Sequence, residues 1–175
     1  MNFKIPQFPD FEISITAFEN VTNSESIRSK VATLPYAFLD ARMIYSQEQL
    51  YAALYRVLVE QKYNKLRTKT IHSEIMLCLS PTSNIGDAFK KFGIKEDSNT
   101  VICLHIKDRS DEPELPSLSS IVEGQEISLS KEFINQHRDI GMVGHVYKIN
   151  GEMIESSTED QVSSMIVNMI QLRGL

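Results

Sequence analysis

An apolar run near the middle of the chain, followed by a proline-containing turn, most constrains the fold. The run occupies Ile71–Leu79, and its last four residues are all apolar. Such a stretch is typical of an interior strand that is covered on both faces. The turn at 80–84 then leads into Ile85–Phe92, whose apolar residues share one helical face. We therefore predict a buried strand that feeds an amphipathic helix.

Other segments extend this pattern into an α/β fold. Residues 11–16 alternate apolar and polar side chains, as a half-buried strand does, and 100–106 resemble a second interior strand. Helical segments separate these strands, and further helices follow them. The predicted order indicates a single domain over residues 1–175. We expect an α/β sandwich with a mixed sheet of about four to five strands flanked by helices.

The longest predicted helix has two apolar faces. It begins at Ser46-x-x-Gln49, a capping signature, and extends to about Lys65. One face consists of Leu50, Leu54, Val57 and Leu58. The other face consists of Tyr51, Tyr55, Val59 and Tyr63. A helix apolar around so much of its circumference is either enclosed within the fold or shared with a partner.

A basic segment, residues 62–69, interrupts an otherwise acidic chain. The chain has 18 Lys and Arg residues against 23 Asp and Glu residues, which argues against an autonomous nucleic-acid-binding protein. Cations at the end of a helix are favoured by its dipole, which is one explanation of the segment. The other is a phosphate-contacting surface on which Tyr63 stacks against a base. The candidate contacts are Lys62, Tyr63, Lys65, Arg67 and Lys69.

Motifs that carry enzyme chemistry are absent from the sequence. The nearest cluster is His72-Ser73-Glu74, but alternation along a strand would put Ser73 on the face opposite its neighbours. The histidines are scattered, and no glycine-rich phosphate loop occurs. We therefore expect no catalytic residues, cofactor or metal. We also expect an intracellular protein, since neither a secretory signal nor a membrane-spanning stretch is visible.

The central segment resembles a known family of adaptor subunits. Ser73-Glu74, then Leu79-Ser80-Pro81-x-x-Asn84-Ile85-x-x-Ala88, then Lys91-Phe92-Gly93-Ile94 match the pattern of the kinase-binding small subunit of the EKC/KEOPS complex. The similarity continues over nearly the whole chain, including Ile121–Glu126 and Ile170–Leu175.

The resemblance implies a non-catalytic role. Members of this family bind the N-terminal lobe of a small atypical kinase/ATPase, and through it the other subunits of the complex. That complex makes threonylcarbamoyl-adenosine at position 37 of tRNA and is linked to telomere maintenance and transcription. We expect this chain to support that activity in the nucleus and the cytoplasm.

The resemblance also implies a partner for each of two surfaces, one of apolar helix residues and the other the basic segment. Apolar helix surface, including the methionine-rich final helix, is the expected kinase interface. The candidates there are Asn84, Ile85, Ala88, Phe89, Phe92, Met165 and Met169. Archaeal relatives capture the tRNA 3′ end, which implies the same contact for the basic segment. The alternative is a tRNA 3′-end-binding subunit whose kinase contact is secondary.

Overall fold

Five strands form one open sheet in the computed structural model, which describes residues 1–109 and 114–174. The order is β1-β2-β4-β3, and β5 pairs with β2 beside β1. The strands are β1 (Asn2–Phe3), β2 (Phe11–Glu19), β3 (Ala37–Asp40), β4 (Val101–Asp108) and β5 (Gln125–Ile127). The longest pairing joins β2 to β4, from Phe11 opposite Asp108 to Phe18 opposite Val101.

Nine α-helices accompany this sheet within the described residues. They are α1 (Ser24–Lys30), α2 (Gln47–Lys62), α3 (Ile71–Leu79), α4 (Ile85–Phe92), α5 (Leu118–Ile121), α6 (Lys131–His137), α7 (Ile140–Tyr147), α8 (Gly151–Ser156) and α9 (Glu159–Leu172). Single 3₁₀ turns follow α1 and β3. The predicted α/β class is therefore confirmed. The predicted mixed sheet is wrong, because every strand pairing between described residues is antiparallel.

The main cause of that difference is the segment Ile71–Leu79, which is the helix α3 and not a strand. Thr70 caps its first turn by accepting a hydrogen bond from the Ser73 amide, and the Ser73 hydroxyl accepts one from the Thr70 amide. Every residue from Glu74 to Leu79 is buried, so no polar face marks the helical period. A short run without that period resembles a buried strand.

The sheet separates a large core from a small one. Ile13, Ile15 and Ala17 of β2 point into the large core, which contains α2, α3 and α9. Phe18, Phe38 and neighbouring side chains form the small core on the opposite face, beneath α1 and α5. The main contacts between helices in the large core run from α4 to α3, from α3 to α2 and from α2 to α9.

The two apolar faces of α2 have different surroundings. Leu50, Leu54, Val57 and Leu58 are fully buried, as a core helix requires. Tyr51 and Tyr55 are each 37% exposed, so the second face lies at the surface of the molecule.

A chain of buried hydrogen bonds joins α2, α3 and α7. Gln49 accepts a hydrogen bond from the Tyr45 amide, and its amide nitrogen donates to the Tyr147 hydroxyl at 2.9 Å. That hydroxyl donates in turn to the Leu79 carbonyl at the end of α3. Burial raises the pKa of Tyr147, so its hydroxyl stays protonated and available as a donor.

A buried carboxylate organises the end of β3. Asp40 accepts hydrogen bonds from the amide and guanidinium of Arg42 and from the Ser98 hydroxyl, and Lys95 lies 3.5 Å away. Burial by itself would raise the pKa of Asp40. The Arg42 hydrogen bonds and the Lys95 charge outweigh burial and lower it. Lys95 also donates to the Lys91 carbonyl, which connects this cluster to the end of α4.

A neutral histidine links α3 to the sheet. His72 Nε2 accepts a hydrogen bond from the Ile106 amide at 3.1 Å, and its ring stacks on His105 with centroids 5.0 Å apart. Burial, assisted by the neighbouring His105, lowers the pKa of His72 to about 4. Protonation would remove the acceptor that the Ile106 amide needs.

We predict that His72 makes the protein less stable as the pH falls from about 6.5 to about 4. The unfolded chain binds a proton in this range whereas the folded chain does not, so the loss is about 3 kcal/mol at the lower pH. Urea unfolding of wild type and His72→Gln across this range tests it. The Gln variant should show a flatter dependence, while His145→Gln, at an exposed position, should follow wild type. Equal slopes for wild type and His72→Gln would contradict the prediction.

Candidate functional site

Helix α4 carries the first candidate surface. Asn84 caps the helix by accepting a hydrogen bond from the Asp87 amide at 3.0 Å, and Lys90 and Lys91 lie in its last turn, where the helix dipole favours cations. The helix ends at Gly93 in an extended conformation. A Cβ atom at Gly93 would lie 2.6 Å from the Phe89 carbonyl oxygen, so glycine is needed there for space.

The structure divides the predicted kinase-interface residues of α4 into two groups. Ala88 and Phe92 are fully buried and attach the helix to the core. Phe89 is 38% exposed, Asn84 is exposed and Ile85 is half-buried. Among the predicted residues of α4, a partner can therefore reach Asn84, Ile85 and Phe89, which we call the exposed edge of α4.

Helix α9 carries the two predicted methionines. Thr158 and Gln161 form the capping box at its start, and Val162, Ile166 and Ile170 are buried against the core. Met165 and Met169 are half-buried at the edge of that apolar face. The main helix contacts of α4 are with α3 and those of α9 are with α2, so the two sets of interface candidates belong to different helix pairs.

The basic segment forms the connection between α2 and α3. Asn64 ends α2 with a φ of 54°, a left-handed conformation that Asn tolerates well. The predicted contacts Lys62, Tyr63, Lys65, Arg67 and Lys69 are all exposed. Tyr63 is 63% exposed, the largest fraction among the large hydrophobic side chains described. The structure thus places all five candidates at the surface.

One buried carboxylate holds the second half of this segment. Glu74 Oε2 accepts hydrogen bonds from the amides of Arg67 and Thr68 at 3.1 and 2.9 Å, and from the Thr68 hydroxyl at 2.6 Å. The Ser73 hydroxyl also donates to the Thr68 hydroxyl. Sequence reasoning missed this role because it treated 71–79 as a strand. The signal available was Thr70-x-x-Ser73, a helix start that places Glu74 in the first turn.

The end of α9 lies against the same part of α3. Arg56 of α2 donates to the carbonyls of Ile170 and Arg173 and so caps α9. Arg173 is buried and its Nη2 lies 4.0 Å from Cys78 Sγ, one helical turn after Glu74. Burial, with Arg56 nearby, lowers the pKa of Arg173, whereas burial raises the pKa of Cys78 to about 12.

The predicted absence of a His72-Ser73-Glu74 catalytic site was argued from strand geometry, which is not the geometry present. In the helix, His72 binds the Ile106 amide, Ser73 completes the capping box and Glu74 holds the basic segment. Each side chain has a structural partner. In the described part of the chain, no three or more His, Cys, Asp or Glu side chains are arranged to hold a metal ion. Within the same residues, no helix has the length and apolarity needed to cross a membrane.

Comparison with known proteins agrees with the family resemblance seen in the sequence. A family model described as kinase binding protein CGI-121 matches residues 18–174. A protein of Candida glabrata named EKC/KEOPS complex subunit CGI121 is 98% identical, with 100% of each chain covered. Proteins with the same name from Eremothecium gossypii and Schizosaccharomyces pombe are 41% and 31% identical. The alignments cover 98% and 97% of this chain, and 97% and 98% of those proteins.

The relatives match over nearly the whole chain, and the family model covers β3, β4, β5 and every helix that carries a candidate surface. The resemblance noted in the central segment is thereby confirmed at the level of the whole chain. The protein belongs to the CGI-121 family, whose model is described as a kinase binding protein.

Proposed function

We propose that this protein is a non-catalytic subunit of an EKC/KEOPS complex. In this role it binds the N-terminal lobe of the small atypical kinase/ATPase and supports its activity. The observation that carries the proposal is the 98% identity, over both complete chains, to a protein named as a subunit of that complex. The description of the family as a kinase binding protein supports the choice of partner.

The exposed edge of α4 is the surface that we assign to the kinase. Phe89 projects from a helix whose inner residues Ala88 and Phe92 are immobilised in the core. A large aromatic side chain on a rigid element is typical of the residues that dominate binding energy at interfaces. Lys90, in the last turn of the helix, adds a positive charge beside it. Met165 and Met169 on α9 are the second candidate for this contact.

The finer parts of the proposal rest on the family resemblance. They are a role in threonylcarbamoyl-adenosine formation at position 37 of tRNA, links to telomere maintenance and transcription, and residence in the nucleus and the cytoplasm.

The second candidate function is capture of the tRNA 3′ end, with the kinase contact secondary. The observation that favours it is the exposure of all four cations and Tyr63 on the basic segment. Because the chain as a whole is acidic, electrostatic attraction for phosphate has to come from a local group of cations such as this segment.

We predict that Phe89→Glu weakens binding to the kinase subunit by at least about tenfold, because a carboxylate replaces the apolar contact at the centre of the surface. Affinity for the purified kinase, measured by titration calorimetry, checks this. Ile140→Glu changes a side chain that is 45% exposed on α7 and should bind as wild type does.

Further results of that titration would contradict parts of the proposal. Failure of the wild-type protein to bind the kinase would overturn the proposed function. Normal binding by Phe89→Glu together with weak binding by Met165→Glu would move the interface to α9. Thermal unfolding of each variant shows whether a loss of binding reflects a loss of folding.

We predict that Lys65→Ala/Arg67→Ala weakens binding to tRNA and lowers its salt dependence. Two lost phosphate contacts on a single strand should reduce the slope of log affinity against log salt by about 1.4. The control Lys30→Ala/Lys131→Ala removes the same charge from exposed positions on other helices. It should leave the slope at its wild-type value, and equal slopes for both double variants would contradict an RNA contact by the basic segment.

A further inference from the structure

The outer face of α2 carries a row of side chains that the core leaves largely uncovered. Its members recur every three or four residues and so lie along one side of the helix: Glu48, Tyr51, Tyr55, Val59 and Lys62. Tyr51 and Tyr55 are each 37% exposed. The charged residues at the two ends are exposed and Val59 is half-buried. We call these five residues the outer stripe.

The two tyrosine rings of the outer stripe are held in place by the N-terminal segment. The Phe3 ring meets Tyr51 edge-on with centroids 5.5 Å apart. The Phe8 ring meets Tyr55 in the same way at 5.6 Å. Side chains that are fixed before binding lose little conformational entropy when a partner covers them. The apolar centre of the stripe is therefore a rigid surface suited to a protein contact.

Opposite charges stand at the two ends of the outer stripe. Glu48 lies in the first turn of α2 and Lys62 in its last turn, about 21 Å apart along the helix. The helix dipole favours both positions but does not account for their alignment with the tyrosines. Within the described residues neither side chain forms an ion pair. Lys62 Nζ lies near the rings of Phe8 and Tyr63, at about the outer limit of a cation–π contact.

The outer stripe matches a reversed copy of itself. Tyr55 lies seven residues from both Glu48 and Lys62. It also lies four residues from both Tyr51 and Val59. A second copy of α2, packed antiparallel around Tyr55, therefore brings Glu48 of each copy opposite Lys62 of the other. In the same register Tyr51 of each copy meets Val59 of the other.

Other arrangements of the outer stripe lose this match. A parallel pair of helices would set Glu48 against Glu48 and Lys62 against Lys62, and like charges repel. An antiparallel pair shifted by one turn would separate Glu48 from Lys62 by about 6 Å along the helix. An unrelated apolar segment would cover the tyrosines but leave both charges without partners. Charge complementarity thus favours a second copy of this chain as the occupant.

We propose that two copies of this protein associate through the outer stripe, antiparallel around a twofold axis at Tyr55. Twofold pairing is the commonest symmetry of homo-oligomers and uses the same surface on both copies. One pair of helices buries less area than a stable dimer needs, so the association is weak and depends on concentration. The proposal goes beyond the proposed kinase and tRNA contacts and depends on neither.

Sedimentation equilibrium of the full chain tests this association. The wild-type mass should rise towards that of two chains as the concentration approaches about 1 mM. Glu48→Lys should weaken dimerisation by about tenfold or more, because symmetry converts two attractive pairs into two repulsive ones. Glu48→Lys/Lys62→Glu restores both pairs in the opposite sense and should dimerise as wild type does. Glu152→Lys makes the same change of charge at an exposed position on α8 and should have no effect.

A cysteine at the twofold axis tests the register. Tyr55→Cys should form a disulfide between two copies on mild oxidation, because the two positions face each other. Tyr51→Cys should crosslink far less, since its two copies lie about 12 Å apart along the helix. The native Cys78 and Cys103 are buried and should remain reduced in every variant.

Each other outcome overturns the proposal in a recognisable way. A wild-type protein that stays monomeric at about 1 mM does not associate as proposed. A dimer that Glu48→Lys leaves intact and Tyr55→Cys does not crosslink uses another surface. A loss of dimer in Glu48→Lys without recovery in the double variant contradicts the antiparallel register. If wild type is monomeric and Tyr55→Glu weakens kinase binding at an unchanged unfolding midpoint, the outer stripe belongs to the kinase interface instead.

Discussion

The hydrogen bonds of Gln49 and Tyr147 are the interaction on which the rest of the structure depends. Helix α3 is buried along most of its length, so the Leu79 carbonyl at its end has no access to water. A buried carbonyl without a partner costs about 1–3 kcal/mol, and the Tyr147 hydroxyl removes that cost. Because Gln49 binds the same hydroxyl, the positions of α2, α3 and α7 are set together. Both candidate surfaces then follow from α3, since the basic segment precedes it and α4 follows it.

This arrangement places the two proposed activities at opposite ends of one helix. The nine residues of α3 span about 13 Å, which separates the basic segment from the turn that begins α4. The start of α4 and the basic segment are therefore separate parts of the surface. The kinase-binding and tRNA-binding proposals accordingly use different candidate residues.

Sequence patterns located an element best where one of its faces is polar, whereas two mostly apolar runs looked alike although one is the strand β4 and the other the helix α3. Strand β2 and helices α2, α4 and α9 lie close to their predicted positions, because alternation or capping signals mark them. Helix α3 was misassigned because it is buried on nearly all sides, so its sequence lacks the helical periodicity of apolar and polar residues. Its misassignment also concealed the role of Glu74. Periodicity placed Ala88, Phe89 and Phe92 on one face, but only the neighbouring helices determine that Phe89 alone reaches solvent.

The three hydrogen bonds that Glu74 accepts from Arg67 and Thr68 have a consequence for binding. A loop of this composition without such an anchor would lose conformational entropy when a ligand orders it, at a cost of about 1–2 kcal/mol per backbone residue. Here that ordering has taken place during folding, so the nucleic acid that we propose as ligand would meet a preorganised loop. The buried Glu74 carboxylate thereby fixes the backbone of the loop that exposes the cations of the basic segment. Affinity at the basic segment is then a property of the folded core as much as of the exposed cations.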